Sequence, residues 1–151
     1  MIEYKVLNAQ LRALASGNKN YVGVLANAAA LLKDATGWFW VGFYIVHDSE
    51  LWLGPFQGPL ACSKIAYGCG VCGTAWERGQ SLVVPDVEKF PGHIACNSLS
   101  RSEIVVPVKS GDRIIGVLDI DSTEFDTFTE EDRKGLEEFC AIIGETLADW
   151  Q

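Results

Sequence analysis

The sequence predicts an α+β domain in which helices cover a central antiparallel sheet. Apolar residues recur at helical spacing near both ends of the chain, and short runs rich in β-branched and aromatic residues fill the middle. Helices and strands do not alternate strictly, which argues against a doubly wound parallel sheet. The length of 151 residues is that of one ordinary domain, so we expect residues 1–151 to form a single unit.

Helical periodicity predicts two helices at the start of the chain and one at its end. The first two run from Tyr4 to Leu14 and from Tyr21 to Lys33. Thr129 is followed three residues later by Asp132, a pattern typical of a helix N-terminus, and predicts the start of a long last helix. We expect the apolar stripe of this helix to pack against the sheet, and it consists of Leu136, Phe139, Ile143, Leu147 and Trp150.

The middle of the chain predicts several strands and one short helix. A first strand from Trp38 to Val46 and the apolar residues 51–53 suggest a hairpin. Further strand candidates are Cys62 to Ile65, Ser81 to Val84, Ile104 to Val108 and Ile114 to Ile120. A short helix is expected from Cys72 to Glu77, and residues 86–101 are predicted to form a long loop.

Alternation along the first strand divides its side chains between two faces of the sheet. The face expected to lie under the helices carries Phe39, Val41, Phe43 and Ile45, and the opposite face carries Trp38, Trp40 and Tyr44. Aromatic residues such as Trp40 and Tyr44 are as often a second layer of core as the wall of a ligand site. The pattern alone leaves both interpretations open.

Three carboxyl groups fall on one face of the last two predicted strands. If residues 110–112 form a three-residue hairpin loop, Glu103 lies opposite Asp119, with Asp121 on the same face. Like charges directly across a sheet are destabilising, so such a patch either opens to water or serves a cationic ligand. If it is a site, we expect at least one raised pKa and a neutral acid that can donate a proton.

Composition and charge exclude several classes of function. The formal net charge of −8 repels phosphate backbones and anionic lipid, so nucleic acid and membrane surfaces are poor partners. No apolar run approaches the roughly 20 residues needed to cross a bilayer. The first residues lack the pattern of a secretory signal, and we therefore expect a cytoplasmic protein.

Four of the five cysteines lie within one quarter of the chain. Cys69 and Cys72 form a C-x-x-C pair, and with His93 and Cys96 they offer the ligand types of a zinc site. The alternative is thiol redox chemistry, in which Cys96 in the long loop and either Cys62 or Cys72 form a disulfide. Simple packing of these cysteines is a third interpretation.

Six segments carry a resemblance to a known family. They are Gly54–Gly58, Ala61–Cys62, Gly70–Ala75, Gly92–Cys96, Ser102–Val105 and Ile115–Ser122. Across them the sequence resembles the free methionine-(R)-sulfoxide reductases, which are oxidoreductases built on a GAF domain. The resemblance implies a GAF-like fold with a six-stranded antiparallel sheet and helices on one face. It also implies that the domain is an enzyme.

The resemblance assigns a role to each residue of a catalytic group. Cys96 would be the thiolate that attacks the sulfoxide sulfur, and Cys62 would be the resolving thiol that closes a disulfide with it. Glu103 would be the protonated acid that hydrogen-bonds the sulfoxide oxygen. Asp119 would help to position Glu103, and Asp121 would meet the ammonium group of the substrate.

The same resemblance implies the rest of the site and its partners. Trp40 and Tyr44 would form an aromatic wall, Cys72 matches a third family cysteine, and Cys69 lies outside the family motif. We expect no metal or prosthetic cofactor, recycling by thioredoxin or another dithiol, and a role in oxidative stress. The resemblance also implies association as a homodimer. The alternative function is a GAF-type module that senses a small molecule without catalysis.

Overall fold

Over residues 2–149, which a computed structural model describes, the chain forms a six-stranded antiparallel sheet and four α-helices. The helices are α1 (Tyr4–Ala15), α2 (Tyr21–Thr36), α3 (Gly70–Arg78) and α4 (Glu130–Thr146). The strands are β1 (Trp40–His47), β2 (Glu50–Gln57), β3 (Lys64–Ala66), β4 (Leu82–Val84), β5 (Ser102–Ser110) and β6 (Arg113–Ser122). Their order in the sheet is β3-β2-β1-β6-β5-β4. The predicted α+β class is confirmed.

The start of α4 is fixed by the two residues that the sequence singles out. The Thr129 side chain accepts a hydrogen bond from the Asp132 backbone N–H, and the Thr129 backbone N–H donates to Asp132 Oδ2 at 2.9 Å. This reciprocal arrangement satisfies backbone groups that a helix N-terminus otherwise leaves free. Tyr4 donates a hydrogen bond to Asp132 Oδ1 at 2.7 Å and so joins α1 to α4. The predicted stripe of α4 is buried through Leu147, while Trp150 lies outside the described residues.

The sheet carries a hydrophobic core on each face. The helices α1, α2 and α4 pack on one face, against residues such as Val41 and Leu118. The short helix α3 packs on the other face, where Val71 and Ala75 contact the side of the sheet that carries Val105. The expectation of helices on one face therefore holds for the three long helices but not for α3. Among residues 2–149, no helix combines the length and the apolar character that crossing a membrane requires.

The two residues before β1 lie on the faces opposite to those predicted. The prediction that Phe39 faces the long helices and that Trp38 faces away is wrong. Trp38 packs into the core under the long helices, where its ring lies edge-on to that of Phe128 with the ring centroids 5.2 Å apart. Phe39 packs into the core on the α3 side. The strand begins only at Trp40, and the alternation of side chains does not extend to residues outside it. Within the strand, Trp40 and Tyr44 do lie on the α3 side.

The hairpin between β5 and β6 has a shorter loop than the sequence suggests. Ser110 pairs with Arg113, so the turn contains two residues instead of the expected three. The register then shifts, because the pairs on either side of Ile115 leave that residue of β6 without an opposite residue on β5. An extra residue of this kind is a β-bulge, and it restores the matching of apolar faces that the even loop alone would break.

Candidate active site

The bulge decides which of the three acids face each other. Glu103 pairs directly with Asp121, and Asp119 pairs with Val105, so the predicted pairing of Glu103 with Asp119 is wrong. All three acids nevertheless share the face that α3 covers. Asp119 and Asp121 are two positions apart on β6, and Glu103 lies directly opposite Asp121, so their side chains point to the same side. Glu103 and Asp119 are buried, with exposed fractions of 5% and 7%, and Asp121 is half-buried.

A cavity of about 540 Å³, including its open mouth, lies over these acids and is called here the acidic cavity. It is bounded by the first turn of α3 and by part of residues 90–101, which precede β5 and are called here the cysteine loop. The lining side chains with chemical function are Trp40, Tyr44, Cys72, His93, Cys96, Asn97, Ser100, Glu103, Asp119 and Asp121.

Two aromatic residues of β1 form one wall of the acidic cavity. Trp40 and Tyr44 stack with ring centroids 6.0 Å apart, and Trp40 also stacks on Phe56 at 5.2 Å. Trp40 Nε1 donates to the Pro59 carbonyl at 3.0 Å, and the Tyr44 hydroxyl donates to the Cys62 carbonyl at 2.8 Å. Each polar tip therefore has a partner, and the apolar faces of both rings are held in a fixed position.

A disulfide joins Cys62 and Cys96, whose Cα atoms are 5.4 Å apart. Cys62 lies just before β3, and Cys96 lies in the cysteine loop, where it lines the acidic cavity. The disulfide therefore ties the cysteine loop to the sheet beside the cavity. The residue spacing leaves Cys62 and Cys72 as alternative partners for Cys96, and the pairing seen here is the one implied by the family resemblance.

The other cysteines are free, and they do not form the zinc site considered from the sequence. Cys69 is exposed at the start of α3, whereas Cys72 is buried on the same helix and lines the acidic cavity. Cys140 is buried in the core under the long helices. Because the sulfur of Cys96 is bonded to that of Cys62, it is not available as a thiolate ligand beside Cys69 and His93.

Burial raises the pKa of all three acids. For Glu103, burial is the largest cause, and the charges of Asp119 and Asp121 raise its pKa further. Burial and then the charge of Asp119 raise the pKa of Asp121. For Asp119, burial raises the pKa, while hydrogen bonds with Glu103 and Cys72 oppose this effect. The cluster therefore retains protons, and Glu103 is suited to act as a neutral hydrogen-bond donor.

His93 is a member of the site that sequence reasoning treats only as a possible zinc ligand. Its Nε2 lies 3.8 Å from Glu103 Oε1. Burial lowers the pKa of His93, and the charge of Asp119 opposes that effect. No local sequence pattern places it beside the acids, because this contact depends on how the cysteine loop folds back over the sheet. Asn97 and Ser100 line the cavity from the same loop and were also missed.

Comparison with known proteins gives a consistent family. The GAF domain family model matches residues 20–147. GAF domain-containing protein A of Dictyostelium discoideum is 51% identical over 142 residues, which cover 93% of this chain and 90% of that protein. The free methionine-R-sulfoxide reductase of Escherichia coli (strain K12) is 49% identical over 146 residues, with coverage of 96% and 88%.

Solved structures agree with the sequence comparisons. The X-ray structure of free methionine-R-sulfoxide reductase from Neisseria meningitidis in complex with its substrate is 51% identical in sequence. It superposes with a TM-score of 0.92 and coverage of 95% of this chain and 87% of that chain. The chain therefore belongs to the GAF-domain family of free methionine-R-sulfoxide reductases.

Proposed function

We propose that this protein reduces free L-methionine-(R)-sulfoxide to methionine in the acidic cavity. The observation that carries the proposal is the disulfide between Cys62 and Cys96 beside a cavity whose buried acid, Glu103, favours the protonated form. The relative in Escherichia coli has the name of this activity, and the Neisseria structure contains its substrate. Both relatives cover nearly the whole chain, which supports transfer of the activity.

The proposed substrate is complementary to the cavity. Its ammonium group would lie against Asp121, because a cation offsets the repulsion among three crowded acids. The Trp40 and Tyr44 rings would contact its methyl group and side chain. A methionine sulfoxide residue within a peptide lacks the ammonium charge, so the same acids favour the free amino acid.

The proposed reaction consumes two thiols and the sulfoxide oxygen. The Cys96 thiolate attacks the sulfoxide sulfur while Glu103 donates a hydrogen bond or a proton to the sulfoxide oxygen, which weakens the sulfur–oxygen bond. The sulfur–sulfur bond formed by this attack breaks as the protonated oxygen passes to Cys96, so methionine leaves and Cys96 becomes a sulfenic acid. Cys62 then attacks that sulfur, water leaves, and the disulfide forms. Asp119, which has a carboxylate oxygen within 4.8 Å of one of Glu103, positions that acid.

A dithiol must then reduce the disulfide to complete the cycle. We propose thioredoxin or another dithiol of the cytoplasm for this step. Cys62 and Cys96, which form the disulfide, are only half-buried, and this exposure leaves room for attack by an external thiolate. This chemistry relies on the thiols of the chain and needs no prosthetic group. A homodimer remains an expectation of the family resemblance.

A substrate panel tests the proposed activity. The purified protein is given the R and S epimers of methionine sulfoxide, each as the free amino acid and within a peptide, with dithiothreitol as reductant. We expect methionine to form from the free R epimer alone. If no epimer is consumed while another small metabolite binds tightly, the protein is a sensing module instead.

A further inference from the structure

The floor of the acidic cavity brings together three potential metal ligands. One ligand atom from each of Cys72, Glu103 and Asp119 can be chosen so that all three lie within 4.8 Å of one another. All three residues are buried, and all three line the cavity. A thiol and two carboxyl groups within this distance could converge on one ion after small side-chain movements.

A second observation points to a ligand at the same place. Oδ1 of Asp119 is buried and, within residues 2–149, has no hydrogen-bond partner. A buried oxygen without a partner loses its hydration and gains nothing in return, so it normally has a water molecule, a ligand or an ion beside it. Only 7% of the surface of Asp119 is exposed, and this residue belongs to the group of three potential ligands.

We propose that the cavity floor binds a soft divalent cation of the zinc and cadmium class through Cys72, Glu103 and Asp119. A thiolate ligand favours these ions over magnesium and calcium, which prefer oxygen ligands alone. Three protein ligands leave a fourth coordination position open.

This ligand set differs from the zinc site considered from the sequence, because it uses neither Cys69 nor Cys96. Metal coordination requires the ionised forms of the thiol and of the carboxyl groups, and the charge of a divalent ion makes that ionisation favourable. The thiol also separates this site from one that binds an organic ammonium, which gains nothing specific from a sulfur ligand. Dependence on Cys72 is therefore the distinguishing property.

Cadmium binding to the oxidised protein tests the proposal without turnover. With the disulfide intact, Cys62 and Cys96 cannot contribute thiolates. Cd²⁺ is titrated while the ultraviolet thiolate-to-cadmium charge-transfer band is recorded, and equilibrium dialysis gives the stoichiometry. We expect one ion per chain with the band of one thiolate. Cys72→Ser should lose the band and weaken binding by at least about tenfold, whereas the exposed-thiol control Cys69→Ser should retain both.

A second variant keeps the test decisive if Cys72→Ser fails to fold, which thermal unfolding would show. Asp119→Asn should keep the charge-transfer band but weaken binding by at least about tenfold. Absence of binding in the wild-type protein, a band that survives Cys72→Ser, or unchanged affinity in Asp119→Asn would each overturn the proposal. Competition between the ion and methionine sulfoxide is expected only if the proposed function is correct, whereas the cadmium titration stands without it.

Discussion

Glu103 and Asp121 face each other directly across β5 and β6, on the side of the sheet that α3 covers. Two acids in this position repel each other when both are ionised, and burial makes the ionised forms costlier still. The sheet therefore holds Glu103 as a proton donor beside the cavity. The two-residue turn and the bulge at Ile115 together place Asp121 opposite Glu103, whereas the same turn without the bulge would place Ile120 there.

Glu103→Gln should reduce turnover far more than substrate binding. General acid catalysis contributes about two to four orders of magnitude in rate, and an amide cannot donate a proton to the sulfoxide oxygen. We expect kcat to fall by about 100-fold or more, with KM changed by only a few-fold. Steady-state kinetics with the free R epimer measure both, and Asp112→Asn in the exposed β5–β6 turn is the matched control. Similar kcat values for Glu103→Gln and wild type would remove Glu103 from the mechanism.

The same substitution should stabilise the fold at neutral pH. The pKa of Glu103 is raised on folding, so the folded chain keeps a proton that the unfolded chain releases. Glu103 therefore lowers the unfolding free energy of the wild-type protein as the pH rises. This loss is absent below about pH 4, grows as the pH passes the pKa that Glu103 has in the unfolded chain, and stops growing above its pKa in the folded chain.

Urea unfolding at two pH values measures this effect. The unfolding free energy of Glu103→Gln, relative to wild type, should be higher at about pH 7 than at about pH 4 by more than about 1 kcal/mol. Asp112→Asn should show no comparable change. A difference between Glu103→Gln and wild type that does not depend on pH would contradict the raised pKa.

Asp121→Asn should weaken binding of the free amino acid. Loss of a charge-assisted contact with the ammonium group costs about 1.5–3 kcal/mol, which predicts a rise in KM of roughly 10- to 100-fold. An analogue of the substrate that lacks the amino group should lose much less affinity on the same substitution. Equal losses for the two ligands would show that Asp121 does not recognise the ammonium.

Gly144→Ala should destabilise the protein although glycine is a poor helix former. A Cβ atom at Gly144 in α4 would overlap the backbone carbonyl of Lys109 in β5, and neither backbone can move easily. We expect a loss of about 2 kcal/mol or more in unfolding free energy. Ala141→Gly, at an exposed position of the same helix, should cost only about 1 kcal/mol. Denaturant unfolding compares the two, and a stabilised Gly144→Ala would show that the helix and strand are not in such close contact.

Most of the fold could be predicted from the sequence because local signals and burial agree. The N-terminal pattern at Thr129 and the apolar stripe of α4 specify both the start of that helix and its buried face. Alternation within β1 placed Trp40 and Tyr44 on the correct face. The same rule failed for Trp38 and Phe39, because nothing in the local sequence marks where the strand begins.

The details of the site depend on features that single-sequence patterns do not determine. The bulge at Ile115 changes the partner of Glu103 and leaves no clear trace in the residue types. The residue spacing did not choose between Cys62 and Cys72 as partners of Cys96, since that choice depends on how the cysteine loop folds back over the sheet. His93 came beside Glu103 through the same long-range packing.

Single-turnover reduction by the pre-reduced protein, without added reductant, tests the central claim most directly. The wild-type protein should convert about one equivalent of the free R epimer and lose two thiols. Cys62→Ser should also form one equivalent of methionine but fail to form the disulfide, and Cys96→Ser should form none. Stoichiometric methionine from Cys96→Ser would contradict the account, because the attacking sulfur would then lie elsewhere.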